Sequence, residues 1–86
     1  MKFIKSQDKQ TIVNANKISY ISIYKELDDD DEETGNEEIA LFLSANSDDT
    51  YCSMGSYRTL DEAIRNLDKL VTFLSSSNTS GLHEIS

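Results

Sequence analysis

Helical periodicity is confined to one part of this 86-residue chain, and that restriction decides which folds are open to it. In residues 59–74 the apolar side chains recur three and four positions apart, which places them on one stripe of an α-helix. Thr59 followed by Glu62 is a capping box, which predicts where the helix begins. The stripe consists of Leu60, Ala63, Ile64, Leu67, Leu70, Val71 and Leu74. The sequence therefore predicts one amphipathic helix with a single face to bury.

The chain before this helix alternates apolar and polar residues, as strands do. Turn-forming residues separate the alternating stretches, for example at 46–49, so consecutive strands are expected to pair as hairpins. Gly55 is expected to mark a bulge or a close approach by the helix. The expected strands are residues 1–6 (at an edge), 11–14, 18–25, 38–45 and 51–57. The predicted fold class is α+β, an antiparallel meander of four to five strands packed on one C-terminal helix.

The length allows one hydrophobic core, because a second would have too few apolar residues to offset its ordering entropy. Of the 86 residues, 37% are hydrophobic, which suffices for one modest core. We expect a single domain over residues 1–74. Residues 75–86 are polar and are expected to form a disordered tail.

The formal charge of −8 comes from one segment. Residues 26–38 hold nine acidic residues and no basic one, whereas the rest of the chain has eight Lys and Arg against seven acids. Because adjacent like charges repel, the segment is predicted to be an extended, mobile acidic loop between two strands. Three interpretations stay open: a solvated hairpin loop, a docking site for a partner, or a cation site. The candidate residues are Asp28, Asp29, Asp30, Asp31, Glu32 and Glu33.

The cation interpretation was compared with the EF-hand loop. Aligning Gly35 with the required glycine puts Leu41 where a bidentate Glu is needed, and the flanking residues alternate like strands. The pattern fails, which leaves weak association of Ca²⁺ or Mg²⁺ with the acidic loop as the remaining metal hypothesis.

Residues that carry chemistry are scarce, and we predict that the protein is not an enzyme and holds no cofactor. The one histidine, His83, lies in the predicted tail, and the one cysteine, Cys52, fits a small hydrophobic residue on a strand. The three glycines are too far apart for a phosphate-binding loop. Nucleic-acid binding is not expected, because the acidic segment next to Lys25 would repel phosphates.

The sequence also shows no recognisable targeting signal. No apolar run is long enough for a signal peptide or a membrane span, and one cysteine cannot form an internal disulfide. A reducing, cytoplasmic location is therefore expected. The abundance of Lys, Ile, Asn and Ser suggests a bacterial or phage coding sequence.

Two stretches of the chain resemble a known group of proteins. Residues 3–9 (FIKSQDK), then Ile12, Val13, Asn14 and Ile18, are similar to the start of short uncharacterised proteins of Gram-positive bacteria and their phages. Residues 54–63 (MGSYRTLDEA), with residues 67–70, resemble the strand, turn and capped helix that follow in that group. The resemblance covers about residues 3–72 and departs from the group at the long acidic insertion. It implies a fold and no known activity.

With catalytic groups lacking, a binding function is the leading hypothesis. One helix covers one face of a sheet, which leaves Tyr20 and Tyr24 on the other. Phe73 lies off the helical stripe and is interpreted either as a cover for the tail or sheet edge, or as a contact for a partner. We predict a non-catalytic protein–protein interaction module, for which a phage or mobile element is the candidate source. The alternatives are an acidic phosphate mimic that inhibits a nucleic-acid-binding host protein, of the anti-restriction or anti-CRISPR type, and a structural homodimer.

Overall fold

Strands account for most of the ordered elements of the chain. The computed structural model describes residues 1–45, 48–78 and 80–86. The predicted turn at 46–49 lies partly outside the described residues. In chain order, the elements are β1 (Lys2–Lys5), β2 (Ile12–Asn14), a 3-10 helix (Ala15–Lys17), β3 (Ile18–Leu27), β4 (Glu33–Ala45), β5 (Asp48–Tyr57), α1 (Leu60–Ser75) and β6 (Gly81–Glu84).

Strands β3, β4 and β5 form one antiparallel sheet in that order, named here the hairpin sheet. Its register places Ile21 opposite Leu41, and Leu41 opposite Cys52. Side chains that lie opposite one another share a face, so these three point to the same side. The alternation predicted from the sequence is confirmed for these three residues, whereas Tyr57, predicted on the face of Tyr51, lies in the core because the register of β5 shifts before it.

The register of β4 against β5 shifts between Ile39 and Ala40, where β5 carries one extra residue at Met54. This is a bulge, and it falls beside Gly55 as predicted. A Cβ atom on Gly55 would lie 2.9 Å from the Ile85 side chain. The Tyr57 hydroxyl would lie even closer, at 2.8 Å, so the nearest atoms belong to Tyr57 and Ile85 and not to the helix.

The second sheet has the order β2–β1–β6 and is named here the terminal sheet. Strand β1 runs antiparallel to β2 and parallel to β6, with Ile4 between Val13 and His83. Strand β1 thus has a neighbour on each side, whereas the sequence pattern predicted an edge strand.

The predicted meander of four to five strands is wrong in its pairing. Among the described residues the strands divide into two sheets of three, and the α+β class with one α-helix near the C-terminal end is confirmed. The 3-10 helix Ala15–Lys17 separates β2 from β3, and the Asn14 side chain caps it by accepting from the Asn16 amide at 2.9 Å. That local turn redirects the chain, so β3 begins a new sheet and does not pair with β2.

The structure also differs from the predicted disordered tail. Helix α1 ends at Ser75, and β6 then pairs along the whole of β1. The Ile85 amide donates to the Lys5 carbonyl at 2.9 Å, and the Ile85 side chain is 5% exposed. His83 and Ile85 turn inward in alternation with Leu82. Four residues of such alternation are too few to stand out within a polar stretch.

Both sheets and the helix contribute to one hydrophobic core. The inner face of the hairpin sheet packs against the helix and against side chains of the terminal sheet, and Ile85 completes the cluster. The buried members are Ile4, Val13, Ile39, Leu41, Met54, Tyr57, Ala63, Leu70 and Ile85.

Helix α1 begins as predicted, with the Thr59 hydroxyl oxygen accepting from the Glu62 amide at 3.1 Å. The buried stripe is narrower than the sequence pattern, because Leu60, Ile64 and Val71 stay 40–50% exposed. In the described part of the chain, no helix is long and apolar enough to cross a membrane.

The C-terminal end of α1 is capped from the opposite end of the sequence. Its last turn holds no basic residue of its own. The Lys2 ammonium instead donates to the carbonyls of Phe73, Leu74 and Ser76 at 2.8, 3.0 and 3.0 Å. A cation there meets unpaired carbonyls and the negative end of the helix dipole. This contact ties β1 to the helix end.

Replacing Lys2 by Met should remove these bonds while keeping a side chain of similar length. We expect the free energy of unfolding to fall by about 1–3 kcal/mol, the range for charge-assisted hydrogen bonds and a helix-end charge. Urea denaturation would measure it. Lys17→Met removes the same charge from an exposed position and should change stability much less. Equal losses for both variants would contradict the capping role.

The ordered structure of residues 81–85 can be tested through the pKa of His83. The His83 ring stacks on Phe73 with centroids 5.3 Å apart. Burial, with a smaller contribution from the Lys69 charge, lowers the pKa of His83 from its ordinary value. A histidine in a disordered tail would keep the ordinary pKa of about 6.5.

We therefore expect the imidazole protons of His83 to titrate with a midpoint below 6.5 in an NMR pH series. The single histidine makes the signal unambiguous. Because the folded state favours the neutral ring, the His83 contribution to stability is present above pH 6.5 and is lost as the pH falls towards the folded pKa. A Gly81→Pro variant, which would disturb β6, should return the midpoint to the ordinary value. An unshifted midpoint in the unmodified protein would contradict the packing of the tail.

Candidate functional site

The face of the hairpin sheet that points away from the core carries four aromatic side chains. Tyr20 and Tyr24 come from β3, Phe42 from β4 and Tyr51 from β5. They alternate with core-facing residues along each strand, which places all four on the same side. These four residues are called the aromatic face below.

The register brings the rings into contact. Tyr20 lies opposite Phe42, and Phe42 lies opposite Tyr51. The Tyr20 and Phe42 rings stack with centroids 4.3 Å apart and planes 9° apart. Tyr24 and Tyr51 meet Phe42 edge-on, at centroid distances of 5.9 and 5.5 Å. Such pairs are worth about 0.5–1.5 kcal/mol beyond their buried area, so the rings hold one another in place.

Exposure within the aromatic face is uneven. Phe42 is half-buried at its centre, whereas the three tyrosines are 44–51% exposed. Beside them a groove of about 510 Å³ runs along the sheet. Leu27, Lys25 and Glu38 complete its lining. The groove is shallow and mainly apolar, which suits a docked side chain or peptide better than an enclosed small molecule.

Glu38 is the buried acidic residue in the lining of this groove. It lies opposite Tyr24 on β3 and is only 8% exposed. Its Oε1 atom has no hydrogen-bond partner among the described residues. Burial raises the pKa of Glu38, and the negative charge of Glu26 raises it further, although a hydrogen bond from Ser53 acts in the other direction. A carboxylate buried in this way is costly unless something pairs with it.

Glu26 has the opposite environment. Its carboxylate is hydrogen-bonded by Ser56, accepts from the Thr34 hydroxyl at 3.0 Å and accepts from the Asn36 amide at 3.4 Å. The hydrogen bond from Ser56 is the main cause that lowers the pKa of Glu26. Glu26 is thus a well-paired carboxylate, whereas Glu38 in the groove lining keeps an oxygen without a partner among the described residues.

The acidic segment is more ordered than the sequence predicted. Strand β3 continues to Leu27 and β4 begins at Glu33, so the connection is a five-residue tip and not a 13-residue loop. The Asp28 carboxylate closes the tip by accepting from the amides of Asp30 and Glu32 at 2.9 and 3.0 Å. Asp31 adopts a left-handed backbone conformation with φ of 61°. Asp side chains commonly support such turns, which is why four consecutive Asp residues fit here.

The structure brings some of the predicted site residues together and separates others. Tyr20 and Tyr24 share the aromatic face. Asp28 to Glu33 lie at the tip of the β3–β4 hairpin, beyond the pair formed by Tyr24 and Glu38. Phe73 packs between the core and His83, with the Lys2 ammonium 5.4 Å from its ring centre. It belongs to the contact between helix and tail, the first of its two predicted interpretations.

Three members of the site, Phe42, Tyr51 and Glu38, were not among the predicted site residues. Phe42 was assigned to the strand 38–45 without being named as a site residue. Tyr51 was assigned to a strand but not to the site, because only the register shows that it reaches Phe42. Glu38 was counted as part of the acidic loop. A weak signal existed, since residues 38, 40 and 42 alternate into one face and Ala40 and Phe42 are apolar. The same parity places Glu38 on that face.

The residues that could support catalysis lie apart. Cys52 is half-buried against the core, and His83 lies in the terminal sheet. Within the described residues no group of three His, Cys, Asp or Glu side chains is placed to hold a metal ion. The lack of enzymatic activity, and of a cofactor, remains a prediction.

Glu38 provides a test of this electrostatic description. The folded pKa lies above the ordinary value of about 4.5, so the cost of the buried charge is absent at lower pH and grows as the pH rises through the folded pKa. Glu38→Gln should therefore stabilise the protein at pH 7 and have little effect near pH 4. Urea denaturation at both pH values would measure the difference. Glu33→Gln, at an exposed position on the same strand, is the control. A stabilisation independent of pH would contradict the assignment.

Comparison with known proteins adds no relative. No protein-family model, no curated protein and no solved structure matches this chain. The resemblance to short proteins of Gram-positive bacteria and their phages stays a prediction, and the function has to be argued from the site itself.

Proposed function

We propose that the protein is a non-catalytic protein–protein interaction module that docks its partner on the aromatic face. One observation carries the proposal. Three tyrosines, each about half exposed, surround Phe42 on a sheet face that the described part of the chain leaves uncovered. Side chains of this type dominate the energetic centres of protein interfaces.

The physical state of the aromatic face supports this role. Tyrosine offers a large contact area with few rotatable bonds, so little conformational entropy is lost when a partner binds. Here the mutual ring contacts and the antiparallel ladder reduce that loss further. The surface is organised before the partner arrives, which favours affinity.

The acidic tip is the basis of the alternative, phosphate mimicry. A mimic of nucleic acid needs carboxylates spaced along a surface, whereas residues 28–32 concentrate them at one hairpin end. Self-association through the aromatic face would bring two chains of charge −8 together, which electrostatic repulsion opposes. We therefore rank a heterologous protein partner first.

A capture experiment separates these hypotheses. The tagged protein would be incubated with lysate of its native host at about 0.05 M and about 0.5 M salt, where surface electrostatics differ most. One variant carries Tyr20→Ser with Tyr24→Ser. A second carries Asp29→Asn, Asp30→Asn and Glu32→Gln, which leaves Asp28 to close the tip. The matched control, Leu60→Ser with Val71→Ser, removes exposed apolar side chains from the helix.

We expect a partner, identified by mass spectrometry, that is retained at high salt and lost only in the tyrosine variant. Circular dichroism and thermal melting would confirm that every variant is folded. Loss at high salt and in the tip variant alone would favour phosphate mimicry. Capture that neither variant changes would overturn the proposed function.

A further inference from the structure

The groove beside the aromatic face has one polar group that the protein leaves unsatisfied. Glu38 is more than nine-tenths buried, lines the groove and has a buried Oε1 atom without a partner among the described residues. A ligand in the groove reaches this oxygen only when the carboxylate turns towards it. We propose that this groove receives an arginine side chain from an exposed segment of the protein partner, whose guanidinium pairs with the Glu38 carboxylate between the tyrosine rings. This inference rests on the proposed function and names the chemistry of its partner.

The unpaired oxygen is the first argument for a donor. A buried acceptor without a hydrogen bond has lost its bonds to water and gained none in their place, which is unfavourable. An N–H group of a ligand would supply the missing hydrogen bond, and a cationic donor forms a stronger bond than a neutral one. A purely apolar occupant would instead seal the carboxylate away from water and leave it unpaired.

The rings supply the second argument. Tyr24 and Tyr51 flank Phe42 from the neighbouring strands, with their planes inclined to its ring by 71° and 66°. Aromatic faces attract cations through their quadrupole. Arginine suits this site better than lysine, because its planar guanidinium stacks on rings while its N–H groups bond a carboxylate.

The surrounding charge is the third argument. Glu26 lies close enough to raise the pKa of Glu38, and the acidic tip continues from the same hairpin. Lys25 is a basic residue in the lining, and its ammonium is paired with the Glu37 carboxylate at 3.3 Å. The potential over the groove is therefore negative, which attracts a cationic segment and disfavours a second copy of this chain.

The test uses a defined probe and the full-length protein. Acetyl-Gly-Arg-Gly-amide would be titrated up to about 20 mM, since a single side chain in an open groove binds in the millimolar range. Binding would be followed by NMR through the ring protons of the tyrosines and the amides of residues 38–42. The matched probe replaces arginine by citrulline, which has nearly the same shape and no charge.

We expect saturable shifts confined to the aromatic face and residues 38–42. Citrulline should bind at least about tenfold more weakly, and Glu38→Gln should weaken the arginine probe by a similar factor. Glu33→Gln, which changes the same charge at an exposed position, should alter affinity less than about twofold. Tyr24→Leu, which keeps an apolar side chain, should also weaken binding. Shifts that do not saturate, equal binding of citrulline, or unchanged binding to Glu38→Gln would each overturn the inference.

The outcome is separable from that of the capture experiment. If the tyrosine variant loses its partner while the arginine probe fails to bind, the docking role stands and the arginine inference is wrong. If the probe binds as expected while capture is unaffected by the tyrosine substitutions, the site stands and the proposed function is wrong.

Discussion

Strand β4 has apolar side chains on both of its faces, and the rest of the structure depends on how those two faces are covered. Ile39 and Leu41 are fully buried on the side where the helix and the terminal sheet pack. On the other side Ala40 is also fully buried, and the register places it between Ser22 and Ser53. Phe42 and its ring contacts follow from the same need, because a large apolar side chain on an uncovered face is best shielded by its cross-strand neighbours.

This arrangement makes the stability of the sheet and the proposed docking surface depend on the same contacts. The ring contacts that shield Phe42 from water also fix the tyrosines in place, with their outer faces still accessible. Glu38 lies two positions before Ala40 on the same strand, and both residues are buried. The Glu38 carboxylate is therefore largely removed from water, which is unfavourable for its charged form. Natural proteins tolerate such an unfavourable group most readily where it serves a function. The buried Glu38 is thus the point at which the requirements of folding and of the proposed recognition differ.

Sequence reasoning located the elements well where a local signal exists. The helix start at Thr59, the alternation in β3 and β4 and the bulge beside Gly55 all follow from nearby residues. The pairing of the strands was harder to predict from the sequence. A three-residue 3-10 helix separates two strands that could have formed a hairpin, and β6 finds its neighbour about 79 positions earlier in the chain. The position of Tyr20 and Tyr24 on an outer face could be predicted. The position of Glu38 beside the rings could not be predicted, because it depends on the strand register and on burial, and neither can be read from the neighbouring residues in the sequence.

The parallel pairing of β6 with β1 has a consequence for how the chain reaches this state. Lys2 lies opposite Gly81, and Ile85, which follows β6, is part of the core. Contacts of such large sequence separation carry a high loop-closure entropy and slow the search for the native topology. During synthesis on the ribosome, the hairpin sheet and helix emerge with one side of their core still open. Strand β6 and Ile85 close it, so the core is complete only once that segment has emerged and paired with β1.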